Sequence, residues 1–105
     1  MINRLWYGWT TPENANAFET MLRTDILPEI SARKLPGYQG AQIMRRDTPD
    51  ESEFVTMLSF DSSDAIRLFA GEKLEVALVP ESVQGILLRY SSVAYHYEVK
   101  ADLTA

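Results

Sequence analysis

The sequence has 105 residues, of which 46% are hydrophobic and 24% are charged, a composition that predicts one ordered globular domain over residues 1–105. Fifteen acidic against ten basic side chains give a formal charge of −5, which disfavours binding to the phosphates of nucleic acid. The sequence contains no cysteine, so disulfides and thiolate chemistry are excluded. None of its apolar runs reaches the roughly 18 residues of a membrane span. We therefore expect a cytoplasmic protein with neither a nucleic-acid nor a membrane partner.

The first predicted elements are a strand over residues 4–10 and a long helix that follows it. Leu5, Tyr7 and Trp9 alternate with Arg4, Trp6, Gly8 and Thr10. Thr11 can cap the helix, and Pro12 suits its first position because no hydrogen bond is lost there. The apolar stripe of this helix consists of Ala15, Phe18, Met21, Leu22, Ile26 and Ile30. Pro28 falls inside the stripe and predicts a kink near Asp25 or a second short helix after it.

A hairpin is predicted in the middle of the chain. Its strands cover residues 38–46 and 53–60, and the residues between them are typical of turns. In a regular first strand, Tyr38 would share a face with Met44, opposite Ile43. The few charges in the second strand indicate a central position in a sheet.

The second half of the chain predicts a short helix, an ambiguous segment, another helix, a final strand and a loose tail. These segments are, in order, residues 65–70, 74–79, 81–89, 91–99 and 100–105. Asp61 to Asp64 offer N-caps for the first of these helices, and Gly71 can close it. In the final strand one face carries Val93, Tyr95, Tyr97 and Val99, and the other carries Ala94, His96 and Glu98.

The order strand, helix, strand, strand, helix, strand predicts an α+β fold of the ferredoxin-like βαββαβ type. Its sheet would be four-stranded and antiparallel, with both helices on one face. Large apolar side chains nevertheless occupy both faces of the predicted strands, for example Trp6 and Tyr7. An uncovered apolar face of this size is uncommon in monomers. We therefore expect a homodimer in which two sheets pack face to face as a barrel.

His96 is the candidate catalytic residue because it is the chain's only side chain whose ordinary pKa is near neutrality. It could accept a proton from a phenol or an activated carbon and leave an electron-rich anion for dioxygen. The alternative is a packed strand histidine, bonded to a backbone carbonyl or to Glu98. The sequence leaves both interpretations open.

Six further residues are candidates for substrate binding: Arg4, Trp6, Phe18, Leu22, Phe69 and Tyr97. Trp6 could stack on a flat ligand and Arg4 could hold a phenolate or carboxylate. Alternatively, Trp6 lies in the core or a dimer interface, and Arg4 pairs with a strand carboxylate. If a pocket exists, Phe18, Leu22 and Phe69 would form its wall, and otherwise they belong to the hydrophobic core. Tyr97 is either a packing residue or a residue whose hydroxyl contacts the ligand.

Neither a metal nor a cofactor is expected. Asp61 and Asp64 have the spacing of helix caps and lack further ligands, and one histidine cannot form a paired metal site. The sequence also lacks a Gly-rich phosphate loop and a GxSxG elbow.

Four stretches distributed along nearly the whole chain have the pattern of a known family. They are residues 4–15 (RLWYGWTTPENA), 35–40 (LPGYQG), 53–62 (EFVTMLSFDS) and 95–99 (YHYEV). In these stretches the chain resembles the antibiotic biosynthesis monooxygenase family. The resemblance implies a dimeric α+β barrel with a pocket between sheet and helices. It also implies either cofactor-free oxygenation of phenols or quinols, or haem breakdown.

Haem-degrading members of that family use an Asn on the first strand and a Trp and a His around the second helix. This chain has Asn3 near the strand start, but Phe69, Ala70 and Gly71 at the second helix. We therefore expect a cofactor-independent monooxygenase that acts on an aromatic or polyketide-like small molecule. The alternative is a non-catalytic dimeric module of the same fold that binds a small apolar ligand or serves as a scaffold.

Overall fold

The computed structural model describes residues 1–104. Its strands are β1 (Ile2–Thr10), β2 (Tyr38–Asp47), β3 (Ser52–Phe60), β4 (Arg89–Tyr90) and β5 (Tyr95–Glu98). Its helices are α1 (Pro12–Met21), α2 (Leu27–Ala32), α3 (Ser63–Ala70) and α4 (Glu81–Gln84), and a π-helical turn, Leu22–Ile26, joins α1 to α2. The predicted tail, 100–105, carries neither helix nor strand over 100–104, and Ala105 lies outside the described residues.

The sheet is antiparallel and has the order β2, β3, β1, followed by β4 and β5 together. Both short strands pair with β1, β4 with Gly8 and Trp9, and β5 with residues 2–5. The fourth strand is thus divided into two pieces along the same edge. The ferredoxin-like α+β architecture expected from the order of elements is confirmed.

The long first helix follows the signals in its sequence. The Thr11 side chain caps α1 by accepting a hydrogen bond from the Asn14 N–H at 3.2 Å, and Pro12 takes the first helical position. The predicted irregularity near Asp25 is confirmed as the π-helical turn, which precedes Pro28. Proline has no N–H to donate, so the helical ladder is interrupted at this point. The turn also widens the helix beside the sheet.

All four helices pack on one face of the sheet, here called the inner face, which carries Arg4, Trp6, Phe54, Thr56, Leu58 and His96. Two clusters form the core above it. One is centred on Phe18 and Phe54, and the other on Phe60 and Ile66. The rings of Phe18 and Phe54 meet edge to face with their centroids 4.9 Å apart. Phe18, Phe54 and Phe60 are fully buried.

Three sequence expectations about local structure are wrong. A bulge between Tyr38 and Gly40 turns Tyr38 to the inner face, together with Ile43 instead of Met44. The helix predicted over 81–89 is one turn, Glu81–Gln84, because the Leu88 N–H bonds to Trp9 O and Arg89–Tyr90 joins the sheet. The final strand is interrupted over 91–94, where Val93 pairs with Val76 instead of with β1.

The helices over residues 1–104 are all too short or too polar to cross a membrane.

Candidate functional site

A cavity of about 70 Å³ lies between the inner face and the helices. Its walls come from both core clusters, with Phe18 and Leu22 on one side and Ile30 and Leu58 on the other. The π-helical turn contributes to the wall, as does Phe69 of α3. A cavity needs a volume on the order of 10–15 Å³ for each water that it holds, so this space is large enough for roughly five waters. The cavity is therefore a real but small apolar site.

Arg4 is the charged residue on the wall of this cavity and is only 4% exposed. Its Nη1 donates to the Leu74 carbonyl and its Nη2 donates to the Val76 carbonyl at 3.0 Å. The guanidinium lies over the Phe69 ring, 5.4 Å from its centroid. No Asp or Glu pairs with it among residues 1–104. Burial lowers the pKa of Arg4 below its ordinary value, as expected for a desolvated cation.

His96 lies next to Arg4 across the β1–β5 pair, with its Nε2 3.0 Å from Arg4 Nη1. A guanidinium only donates hydrogen bonds, so the Nε2 atom must accept and the ring proton must sit on Nδ1. Desolvation by burial lowers the pKa of His96 from 6.5, the charge of Arg4 lowers it further, and Glu75 opposes these effects. His96 is thus the neutral, proton-accepting form at neutral pH, with Nε2 engaged by Arg4.

The segment 74–80, here called the cover, closes one side of the cavity through Ala77, Leu78, Val79 and Pro80. Few backbone bonds hold it to the sheet side. The Ala77 N–H bonds to Ser92 O at 3.0 Å, and the Ala94 N–H bonds to Glu75 O at 2.8 Å. The two carbonyls that Arg4 contacts also belong to the cover. Arg4 therefore links the cover to the floor of the cavity.

Trp6 forms an aromatic wall of the cavity, and its indole is held at both ends. Its Nε1–H donates to Ser91 O at 2.9 Å, and its ring lies 6.4 Å from that of Phe18. The ring lies over Gly8, where an added Cβ would approach Trp6 to 2.6 Å. The absence of a side chain at position 8 therefore permits the observed position of the indole.

The structure brings five of the predicted site residues together: Arg4, Trp6, Phe18, Leu22 and Phe69 all line the cavity. His96 contacts this group through Arg4. Tyr97 lies on the opposite face of the sheet and is 55% exposed.

Other lining residues were missed, among them Thr56, Leu58 and the cover. Thr56 and Leu58 share the alternation of buried Phe54 on β3, a signal that was present in the sequence. The cover has no regular pattern, and its contacts with Arg4 span 70 and 72 residues of sequence.

Within residues 1–104 no helix packs on the other sheet face, which is here called the outer face. Its large side chains are Leu5, Tyr7, Trp9, Met44, Val55, Met57, Tyr95 and Tyr97. The rings of Tyr7 and Trp9 are stacked with their centroids 6.5 Å apart, and the rings of Tyr7 and Tyr95 meet edge to face with their centroids 5.9 Å apart. The aromatic part of this face is continuous from Trp9 through Tyr7 to Tyr95 and is only partly shielded from solvent, since Tyr95 is 44% exposed.

Residues 1–104 contain no group of three or more His, Asp or Glu side chains placed to hold a metal ion.

No family model matches the sequence, and no curated protein matches it. Solved structures do match its fold. One is a Bacillus cereus protein provisionally described as an antibiotic biosynthesis monooxygenase, with a TM-score of 0.67 and 15% identity over 99% of this chain and 97% of that one. Another is an arginine-to-serine mutant of MhuD with two manganese protoporphyrin IX molecules per active site, with a TM-score of 0.59 and 17% identity over 100% of both chains. At these identities the comparison establishes the shared fold.

Proposed function

We propose that this chain is a cofactor-independent monooxygenase that acts on an aromatic or polyketide-like small molecule in the cavity beside Arg4. The observation that carries the proposal is a buried guanidinium, unpaired with any carboxylate of residues 1–104, on the wall of a cavity whose other lining side chains are apolar apart from Thr56. Apolar walls with a few placed polar groups suit an aromatic ligand. The shared fold with a protein provisionally described as a monooxygenase adds support.

In the proposed reaction, an activated CH₂ group of the substrate loses a proton and the resulting carbanion passes electrons to dioxygen. One O₂ converts R₂CH₂ into R₂C=O, and its second oxygen atom leaves as water, so atoms and electrons balance. Arg4 stabilises the negative charge that develops on the substrate. Neutral His96 takes up the proton. Because Arg4 now occupies its Nε2, this transfer requires their hydrogen bond to open.

The cavity must enlarge for such a substrate. Ligand pockets typically measure about 300 Å³ or more, whereas this one is about 70 Å³. The cover is the part of the wall best suited to move, because few backbone hydrogen bonds tie it down. Outward movement of residues 77–80 would open the space beside Trp6 and Arg4. In the proposed enzyme residues 77–80 of the cover therefore move outward to admit substrate, while Leu74 and Val76 keep their contacts with Arg4.

The residues around the cavity do not fit a haem. The one imidazole nitrogen that faces the site is engaged by Arg4, whose positive charge lies where a ligand to iron would be needed. Asn3 faces the outer face instead, where it accepts a hydrogen bond from Ser59 Oγ at 2.9 Å. The proposed reaction therefore uses no haem.

We also propose that the protein acts as a homodimer through its outer face. The aromatic surface around Tyr7, Trp9 and Tyr95 is apolar, lacks a covering helix and would be buried in a face-to-face sheet pair. Light scattering at micromolar concentration should give twice the monomer mass, and Trp9→Glu should give the monomer mass. Ser31→Glu, on the exposed side of α2, is the matched control. A monomeric wild-type protein would contradict the proposal.

A non-catalytic ligand-binding module is the second candidate. The observation in its favour is that His96 lies behind Arg4, with its accepting nitrogen already occupied. A protein that only binds would need no free base at the cavity. This candidate keeps the same ligand site and the same residues.

Oxygen uptake separates the two candidates. A panel of anthrone-like and quinol substrates is incubated with the protein under air, and uptake is compared with the rate of autoxidation without protein. The enzyme proposal predicts accelerated uptake that His96→Ala reduces. Arg45→Gln is a matched control, because Arg45 lies on the inner side of β2 but not on the cavity wall. Uptake at the autoxidation rate with every substrate would contradict the enzyme proposal, and unchanged turnover in His96→Ala would contradict the role of His96.

A further inference from the structure

Arg4 differs from most other arginines of the chain in its electrostatic environment. Carboxylates pair with Arg23, Arg33, Arg45, Arg67 and Arg89. Arg4 is buried and contacts two neutral carbonyls and a neutral imidazole. Burying a cation without a counter-charge is costly. The site therefore carries a positive charge that an incoming anion would compensate.

The hydrogen-bonding capacity of Arg4 is also incomplete. A guanidinium has five N–H donors. The structure assigns three contacts, to Leu74 O, to Val76 O and to His96 Nε2, all through Nη1 and Nη2. The Nε–H and one Nη2 hydrogen have no partner among the described residues. Two remaining donors are what a carboxylate or similar oxyanion requires for a two-point contact.

The contacts of Arg4 restrict its movement. The two carbonyls of the cover hold the guanidinium from one side, His96 fixes Nη1, and the Phe69 ring lies under its plane. A charged donor group held in place in an apolar site binds anions more strongly than a mobile surface arginine, because less entropy is lost. The surrounding walls, Trp6 and Phe18 among them, suit an apolar or aromatic body.

From these observations we infer that the cavity selects ligands with an apolar body and one carboxylate or equivalent oxyanion, which binds to the free donors of Arg4. The inference rests on the proposed function only in taking this cavity as the ligand site. While its hydrogen bond to Arg4 is closed, His96 positions the guanidinium for the anion. A neutral isostere of the same ligand lacks the charge and leaves the guanidinium uncompensated.

Calorimetric titration with benzoate and with benzamide tests this selectivity, because the two probes have nearly the same shape and differ in charge. Wild-type protein should bind benzoate more tightly by about tenfold or more, since hydrogen bonds to charged groups are the stronger ones. Arg4→Gln should weaken benzoate by on the order of 10- to 100-fold and change benzamide by less than about threefold. Arg45→Gln should leave both affinities unchanged. Equal binding of the two probes by wild-type protein would overturn the inference.

A second measurement locates the anion and does not depend on the folding of an Arg4 variant. In ¹⁵N-correlated spectra of wild-type protein, benzoate should shift the side-chain Nε–H resonance of Arg4 and leave that of Arg45 in place. A benzoate-induced shift confined to arginines other than Arg4 would overturn the assignment. Both measurements report binding without turnover, so they can succeed when oxygen uptake fails. Conversely, turnover without preference for benzoate would contradict only the anion inference.

Discussion

Gly8→Ala tests the packing of the aromatic wall. Gly8 is buried in β1, and an added Cβ would lie 2.6 Å from the Trp6 ring carbon Cη2 and 3.0 Å from Cζ3. Carbon atoms in contact are normally about 3.5–4.0 Å apart, so the indole must shift by roughly an ångström. That shift pulls its Nε1–H away from Ser91 O, now 2.9 Å distant.

The expected cost follows from these two effects. Overpacking in a core costs about 1–3 kcal/mol, and a lost hydrogen bond costs about 0.5–1.5 kcal/mol. Alanine also lowers the conformational entropy of the unfolded chain, which stabilises the folded state by about 0.4–1 kcal/mol. A net loss of about 2 kcal/mol should lower the melting temperature by roughly 10 °C for a domain of this size.

Thermal and urea unfolding followed by circular dichroism measure this loss. Gly85→Ala is the matched control, since Gly85 has an ordinary helical φ of −71° and its added Cβ would meet nothing within 4 Å. The control should be as stable as wild type or slightly more stable. Wild-type stability in Gly8→Ala, with an unchanged indole N–H resonance of Trp6, would refute the proposed contact between Gly8 and the ring.

Three further predictions concern the core, a helix cap and the partly buried imidazole of His96. Phe54→Ala should reduce the free energy of unfolding by about 3–5 kcal/mol in urea titrations, since Phe54 is fully buried; a loss below 1 kcal/mol would contradict its central place. Ser62→Ala should cost about 1 kcal/mol in the same assay, because Ser62 Oγ accepts the Ala65 N–H at the start of α3, and an unchanged midpoint would argue against the cap. The lowered pKa of His96 means that the unfolded chain binds the proton more readily, so stability should fall as pH decreases from about 6.5 towards the folded-state pKa. His96→Gln should remove that slope, and an equal slope in the variant would assign it to other groups.

The fold was accessible from the sequence because its determinants are local. The alternation in β1 and β3, the cap at Thr11 and the interruption before Pro28 all act within a few residues of sequence. Together they fix the order of elements, and few topologies accommodate that order. The bulge near Gly40 was not predicted from the sequence, because an isolated glycine in a strand marks a bulge only some of the time. In the structure Gly40 has a φ of +133°, which glycine adopts readily.

The site was only partly accessible, for a different physical reason. Strand alternation separates two sets of side chains without indicating which set meets the helices. It therefore grouped Arg4 with Trp6 but left open whether Tyr97 or His96 would share their face. The contacts of Arg4 with Leu74 and Val76 join distant parts of the chain, and residues 74–80 have no periodic pattern that could predict them. Long-range polar contacts of this kind depend on the tertiary packing.

The stoichiometry of oxygen consumption tests the proposed activity most directly. With an anthrone-like substrate, wild-type protein should consume one O₂ for each carbonyl product formed, at a rate well above autoxidation. Arg4→Gln should lower that rate by about 100-fold or more, since removing one group that stabilises developing charge typically costs 10²–10³ in kcat. Arg45→Gln should retain the full rate. If wild-type protein does not raise oxygen consumption above autoxidation, and Arg4→Gln gives the same rate as wild type, the cavity is not an oxygenase site.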